Sequence, residues 1–356
     1  MRLFLIGTAA VLAISAGVAF AGDGNAVNTE VKGTGNNATV TQNEGNNNIA
    51  RVEVTDTVEA SLVTVTQQDD GNEANVLQSG DTARVMATVS QNGDQGLAAI
   101  EQTDAFFSTA EITQDNVANP GDNANIAGIK QTGGLSSSFA SIVQFSEGGV
   151  ENEASISQDG VQRGNAVILQ SGNGNRSAFA QTGSDSDLFL GRLTQEGNLN
   201  SAQIDQVGDI LAVIAEQEGA GNILEVAQSG EGQDARTMQL GDDNEVYIEQ
   251  SGFRNFGVPE ADGITLLQFG AQNIASIAQH ADVSTLVLRQ EGDENSVNLA
   301  QGGFNNSLVV RQNGEGNEAE VVQEGAHNSL TLTQTGAGNG YSGNLAGLDN
   351  IVVVNQ

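Results

Sequence analysis

Side-chain amides are the residues of this sequence whose type and spacing could do chemistry, and that chemistry is hydrogen bonding along a stack. From Gln195, glutamines fall at Gln206, Gln217, Gln228, Gln239 and Gln250, then from Gln268 at Gln279, Gln290, Gln301, Gln312, Gln323 and Gln334, each step being 11 residues. An asparagine often stands six residues before the glutamine. Asn222, Asn244, Asn273, Asn295, Asn306, Asn317, Asn328 and Asn350 precede Gln228, Gln250, Gln279, Gln301, Gln312, Gln323, Gln334 and Gln356 in this way. A primary amide carries two donors and one acceptor oxygen. Buried alone it is costly, but in a column each amide can donate to one neighbour and accept from the other. These residues are therefore read as a structural amide ladder.

Other chemistries find little material. There is no cysteine, which removes disulfides, thiolate nucleophiles and cysteine-held metals. His280 and His327 are 47 residues apart, fall in turns, and lack the H-E-x-x-H spacing of a helical zinc site. Serine and threonine are common, but no histidine-based constellation supports a nucleophile, and no acid–base cluster stands out, so no enzyme and no cofactor is expected. Patterns such as Gly172-Asn173-Gly174 come from turn glycines, not from a phosphate-binding loop. A formal charge of −33 argues against nucleic acid, which needs a basic surface. Acidic pairs such as Asp69-Asp70, Asp242-Asp243 and Asp293-Glu294, and Asp185 with Asp187, read as solvated turn residues that restrain aggregation. A second reading makes them a weak calcium ladder. Against it, the G-G-x-G-x-D repeat is absent and the acids do not recur at one repeat position. Phe106 and Phe107 are adjacent, so one of them is expected to face outward.

The elements that must position the amides follow from the repeat. Its unit is Q-x-G-x-x-N-x-A-x-x-x-Q, as in Gln312 to Gln323 and Gln170 to Gln181, and 28 looser or stricter copies run from Asn25 to Gln356. The sixth residue before the closing position is Asn in 17 of them, so the frame is a structural constraint and not compositional drift. An 11-residue period suits a right-handed helical supercoil or a strand and turn. The marked residues decide: Asn222, Leu224, Val226 and Gln228 are spaced by two, as on a strand with one buried face. Because 11 is odd, alternation must reset between copies. Gly219, Gly230, Gly241, Gly292, Gly303, Gly314, Gly325 and Gly336 lie two residues after a glutamine and supply turns with positive φ. Pro120 and Pro259 fall in the longest intervals between glutamines, which places looped insertions near 115–122 and 252–262.

Residues 1–21 read as a secretory signal peptide: Arg2, an apolar run to Phe20, and Ala19-Phe20-Ala21 before the cut. An uncleaved anchor is the other reading, but nothing basic follows to stop transfer. No later apolar run is long enough to span a membrane.

A lone seven-residue strand cannot bury a face. Pairs of copies forming coils of about 22 residues can, and 28 copies make about 14 coils of an all-β solenoid with residues 22–356 as one array and like residues stacked at roughly 4.8 Å. The match of Gln312, Gly314, Asn317, Ala319 and Gln323 to the repeat of Gln, Gly, Asn, Ala and Gln resembles the curlin family, the subunits of bacterial curli fibres. That resemblance implies a secreted structural protein that self-associates into amyloid-like fibres by templating on a nucleator, uses dedicated export machinery, and supports adhesion and biofilm. The chain departs from the family in its larger number of repeats, in entering the first repeat at Asn25 without a separate targeting segment, and in its acidity. Neither terminal strand is expected to carry a cap, so both ends are expected to accept another copy. The competing expectation is a monomeric acidic solenoid that binds a surface, calcium or polysaccharide. Ice binding would need a propagated outward Thr-x-Thr column, and Thr331-Leu332-Thr333 is local.

Overall fold

The computed structural model describes residues 13–16, 23–43, 45–55, 58–116, 125–133, 137–146, 150–183, 189–255 and 263–356. Most of the leader, Pro120 and Pro259 lie outside them. The chain is all-β, with no helix among the described residues, and it divides into two units, Met1–Leu188 and Phe189–Gln356. Both are β-solenoids built by one rule. A strand pairs in parallel with the strand two places along the chain, so two consecutive strands make one coil and each coil contributes to two sheets.

In the first unit one sheet includes Leu97–Thr103, Ile126–Thr132, Glu153–Asp159 and Arg176–Thr182, and the facing sheet includes Leu62–Gln68, Met86–Gly93, Thr109–Asn116 and Phe139–Ser146. Register is set by the buried residues: Ala98, Ala127 and Ala154 align, as do Ile100, Ile129 and Ile156, and Gln102, Gln131 and Gln158. Strand Glu153–Asp159 alternates exposed and buried residues without exception. A slip by one residue would turn Ala154, Ile156 and Gln158 into water, and this fixes the alignment. The core between the sheets holds two apolar rows flanked by amides, and Phe179 takes an isoleucine place above Ile156.

In the second unit the strands run further. Ser201–Ala220 is continuous over 20 residues and pairs with Ile223–Leu240 through the arc that joins two repeats. Positive φ at Gly208 and Gly230, 136° and 107°, resets the side-chain parity there without ending the hydrogen bonding. Later coils align Leu286, Leu308 and Leu330, then Leu288, Val310 and Leu332. Strand Glu245–Asn255 carries pairing into 252–255.

Candidate functional site

The amide columns are the built feature of both units. Along the first glutamine column Nε2 donates to the Oε1 one coil onward, Gln228 to Gln250 at 2.9 Å, Gln250 to Gln279, Gln279 to Gln301 and Gln301 to Gln323 at 2.8 Å, until Leu345 faces Gln323. The second column runs from Gln290 through Gln312 and Gln334 to Gln356 at 2.9–3.0 Å. Orientation follows from the backbone, because Gln239 Nε2 also donates to the carbonyls of Ile223 and Asn244, which only a nitrogen can do. The first unit carries the same ladders, Gln42 to Gln67 to Gln91 and Gln131 to Gln158 to Gln181 among them. Its second column begins with Val31 and Val54, so Gln78 Oε1 is buried with no donor above it.

The asparagine ladder points the other way. Asn244 donates both its backbone N–H and its Nδ2 to Asn222 Oδ1, at 3.0 and 3.1 Å. Asn222 Nδ2 reaches forward to the Gly241 carbonyl at 2.8 Å, and Asn273, Asn295 and Asn317 repeat the pattern. Asn317 and Gln323 are wholly buried. Two different columns are present. One is asparagine at every coil from Asn200 through Asn222, Asn244, Asn273, Asn295 and Asn317 to Asn339. The other is mixed: Leu211 and Ser284 stand where Asn306, Asn328 and Asn350 follow, and Ser284 Oγ accepts from the Asn306 backbone. The true period is thus two repeats. Asn350 and Gln356 stand in the coil made with Gly340–Leu348 and Ile351–Asn355, where Asn350 is half-buried and Gln356 exposed.

The glycines do more than turn the chain. Gly219, Gly241, Gly292, Gly314 and Gly336 all have φ between 100° and 128°, and so do Gly230, Gly303 and Gly325 within a few degrees. A Cβ on Gly219 would stand 2.1 Å from the Gly241 carbonyl oxygen, and on Gly314 1.8 Å from that of Gly336. Close coil-to-coil approach therefore forbids a side chain independently of φ. Two residues further on lies a second left-handed position that the sequence reading missed. It holds Gly221, Gly232, Gly316 and Gly338, but also Ile210, Asp243, Val283, Glu294 and His327, all at φ 52–73°. The scattered glycines four residues after a glutamine were its signal.

The acids are more ordered than the sequence reading allowed. Asp94, Asp242, Asp282 and Asp293 all occupy the third place after a glutamine, and each Oδ1 accepts the backbone N–H of the equivalent residue one coil earlier, at 2.7–3.0 Å. They tie turn to turn. Among the described residues no three acids or histidines converge as a metal would require. His280 Nδ1 lies 2.7 Å from Ser251 Oγ and its Nε2 3.9 Å from Glu249. This contact was not legible in the spacing, and it stands open to water. Phe107 faces outward with the Arg84 guanidinium 5.3 Å from its ring.

No helix among the described residues is long and apolar enough to cross a membrane. No curated protein matches the chain. With every amide, arc and glycine column repeating coil after coil, the geometry is that of a stacked repeat, and the model of the curlin associated repeat matches the chain twice, at residues 219–252 and 303–336.

Proposed function

We propose that the chain is a secreted subunit of an extracellular, curli-like fibre that self-associates coil upon coil and supports adhesion and biofilm. The observation that carries this reading is the polarity of the ladders. Glutamine Nε2 faces forward in every coil, whereas asparagine Oδ1 faces forward to accept the next backbone N–H. A forward coil edge is therefore complementary to a backward edge and to nothing else in the molecule. Unpaired strand edges of this kind recruit another chain. The same requirement gives a nucleator its role, since the first coil of a stack gains no ladder bonds until a template offers them. Residues 1–21 supply the export signal.

Fibre diffraction and dye binding on purified residues 22–356 test the proposal. The expected outcome is fibres with the strand spacing of about 4.8 Å along their axis, growing faster as salt screens the acidic surface. A chain that stays monomeric across salt and concentration would overturn it in favour of a solitary solenoid.

A further inference from the structure

We infer that one sheet face of the first unit is an ice-binding surface, its occupant the ordered water lattice of an ice crystal. This goes beyond the fibre reading and does not depend on it, because stacking uses coil edges and leaves sheet faces open.

The face is carried by Asn37–Asn43, Leu62–Gln68 and Met86–Gly93. Their register places Thr39, Thr64 and Thr88 in one column, which Glu111 ends on the next strand, and Thr41, Thr66 and Ser90 in the next, which Thr113 continues. Val40, Val65 and Val89 between them are buried, so both hydroxyls of each strand project outward. A parallel sheet sets the net at about 6.6 Å along the strand and about 4.8 Å between coils. A rectangular array of that size lies near the oxygen repeat on a prism face of hexagonal ice. Threonine is stiff at χ1 because it is β-branched, and the register holds each backbone, so hydroxyl and methyl are fixed before water arrives. The hydroxyls of Thr41, Thr64, Thr66, Thr88 and Ser90 have no hydrogen-bond partner among the described residues.

Charge is the second, independent observation. None of the outward positions of these three strands is charged, in a chain of formal charge −33. The other sheet of the same unit carries Arg51, Glu53, Glu73 and Glu101 on its outward side. Ionic groups hold hydration shells that do not fit an ice lattice, whereas a neutral hydroxyl–methyl net lets water sit in lattice positions. No aromatic ring stands on the three strands for a sugar to stack upon. Each contact is weak, but a rigid array engages many at once, so affinity accumulates with the number of rungs. The second unit supplies the contrast: Thr331 and Thr333 are flanked in register by Val309 with Val353 and by Arg311 with Asn355, so their column does not propagate.

The test grows ice slowly from a solution of fluorescently labelled residues 22–356 and follows recrystallisation of fine-grained ice in parallel. The wild-type chain is expected to enter the ice and to slow recrystallisation. Thr64→Lys with Thr66→Lys is expected to stay in the liquid and to lose the inhibition, while Thr331→Lys behaves as wild type. Thr64→Val with Thr66→Val keeps the shape and strand preference, so a weakened effect there shows the hydroxyls at work even if the lysine variant folds poorly. Exclusion of the wild-type chain from ice overturns the inference, as does an unchanged double-lysine variant. Binding to crystalline cellulose that the double-lysine variant loses, with ice ignored, overturns it in favour of a polysaccharide face.

Discussion

The two units obey one pairing rule but close their arcs differently. In the first, intervals between glutamines vary, as from Gln78 to Gln91 to Gln102 to Gln114, and the arcs are bends with isolated bridges such as Glu59 with Ala83. In the second, the 11-residue step is strict over long runs, and strands such as Ser201–Ala220 pair straight through the arc. The difference lies in how glycine is used. Gly197, Gly219, Gly241, Gly270, Gly292, Gly314 and Gly336 form one column in which each but the last would collide with the next carbonyl if it gained a Cβ. In the first unit such approaches are scattered: a Cβ on Gly93 would stand 1.7 Å from the Asn116 carbonyl oxygen and one on Gly45 2.0 Å from that of Asp69, whereas Gly71, four residues after Gln67, has nothing closer than 3.4 Å, a flexible side-chain atom of Gln95. An arc with an extra residue shifts where its glycine meets the next coil, and only the minimal arc lines these contacts into one column.

The largest effect that would break this contrast is a methyl group in each column. Gly314→Ala meets the Gly336 carbonyl and a left-handed φ at once, so it is expected to cost roughly 4 kcal/mol or more. Gly71→Ala carries the φ penalty without the collision, about 1–2 kcal/mol. Amide hydrogen exchange in the affected coils measures both, because local opening reports on the mutated arc. Equal losses would show that φ alone selects glycine. Next in size is Asn295→Leu. It strips Asn317 N–H and Nδ2 of their acceptor and the Gly314 carbonyl of a donor, all in a buried column. About 3 kcal/mol is expected from the groups left unpaired. Ser284→Ala in the mixed column takes the acceptor from the Asn306 N–H and a donor from the part-buried Asp282 carbonyl, with no second side-chain amide involved, and about 1 kcal/mol is expected there.

Much of this was legible because period two and period 11 both leave marks on residue type. The parity reset implied by an odd repeat put Asn317 and Gln323 inside, where burial of an amide demands a column. What stayed hidden is what residue type alone does not encode. Pooling all 28 repeats blurred the alternation between an all-asparagine column and one containing Leu211 and Ser284, although the two-copy coil that separates them was itself legible. The acids looked scattered because Asp94, Asp242, Asp282 and Asp293 share a place with Ala220 and Ala271, and their partner is a backbone N–H that no sequence pattern displays. The threonine net escaped for a related reason: Thr39, Thr64 and Thr88 are 25 and 24 residues apart, off the strict period.

A gain of stability sharpens the comparison from the other side. Val283 holds φ 52° at the second left-handed place, where a β-branched side chain is strained, and it is exposed. Asparagine tolerates that region, so Val283→Asn is expected to stabilise its arc by about 1 kcal/mol, read as slower exchange at the neighbouring amides. No gain would mean that the minimal arc relaxes around valine.

The smallest effect lies on the outer surface, where the units should not differ. In the first unit Glu73 accepts from the Asn75 amide at 3.2 Å and pairs with Arg51 at 2.5 Å; in the second Arg289 pairs with Glu291. The Asn75 hydrogen bond, aided by the Arg51 charge and opposed by partial burial, holds the Glu73 carboxyl below its ordinary range. A depressed folded value contributes stability above the unfolded carboxylate pKa, and that contribution fades as pH falls through the folded value. Both partners are well exposed, so solvent screening limits Glu73→Gln to about 0.5 kcal/mol at neutral pH, vanishing in acid. Denaturation of the variant and wild type at neutral and acid pH measures this. A loss as large as that of Asn295→Leu would move the source of stability from the arcs and amide columns to the charged rim, and with it the explanation for why the two units differ.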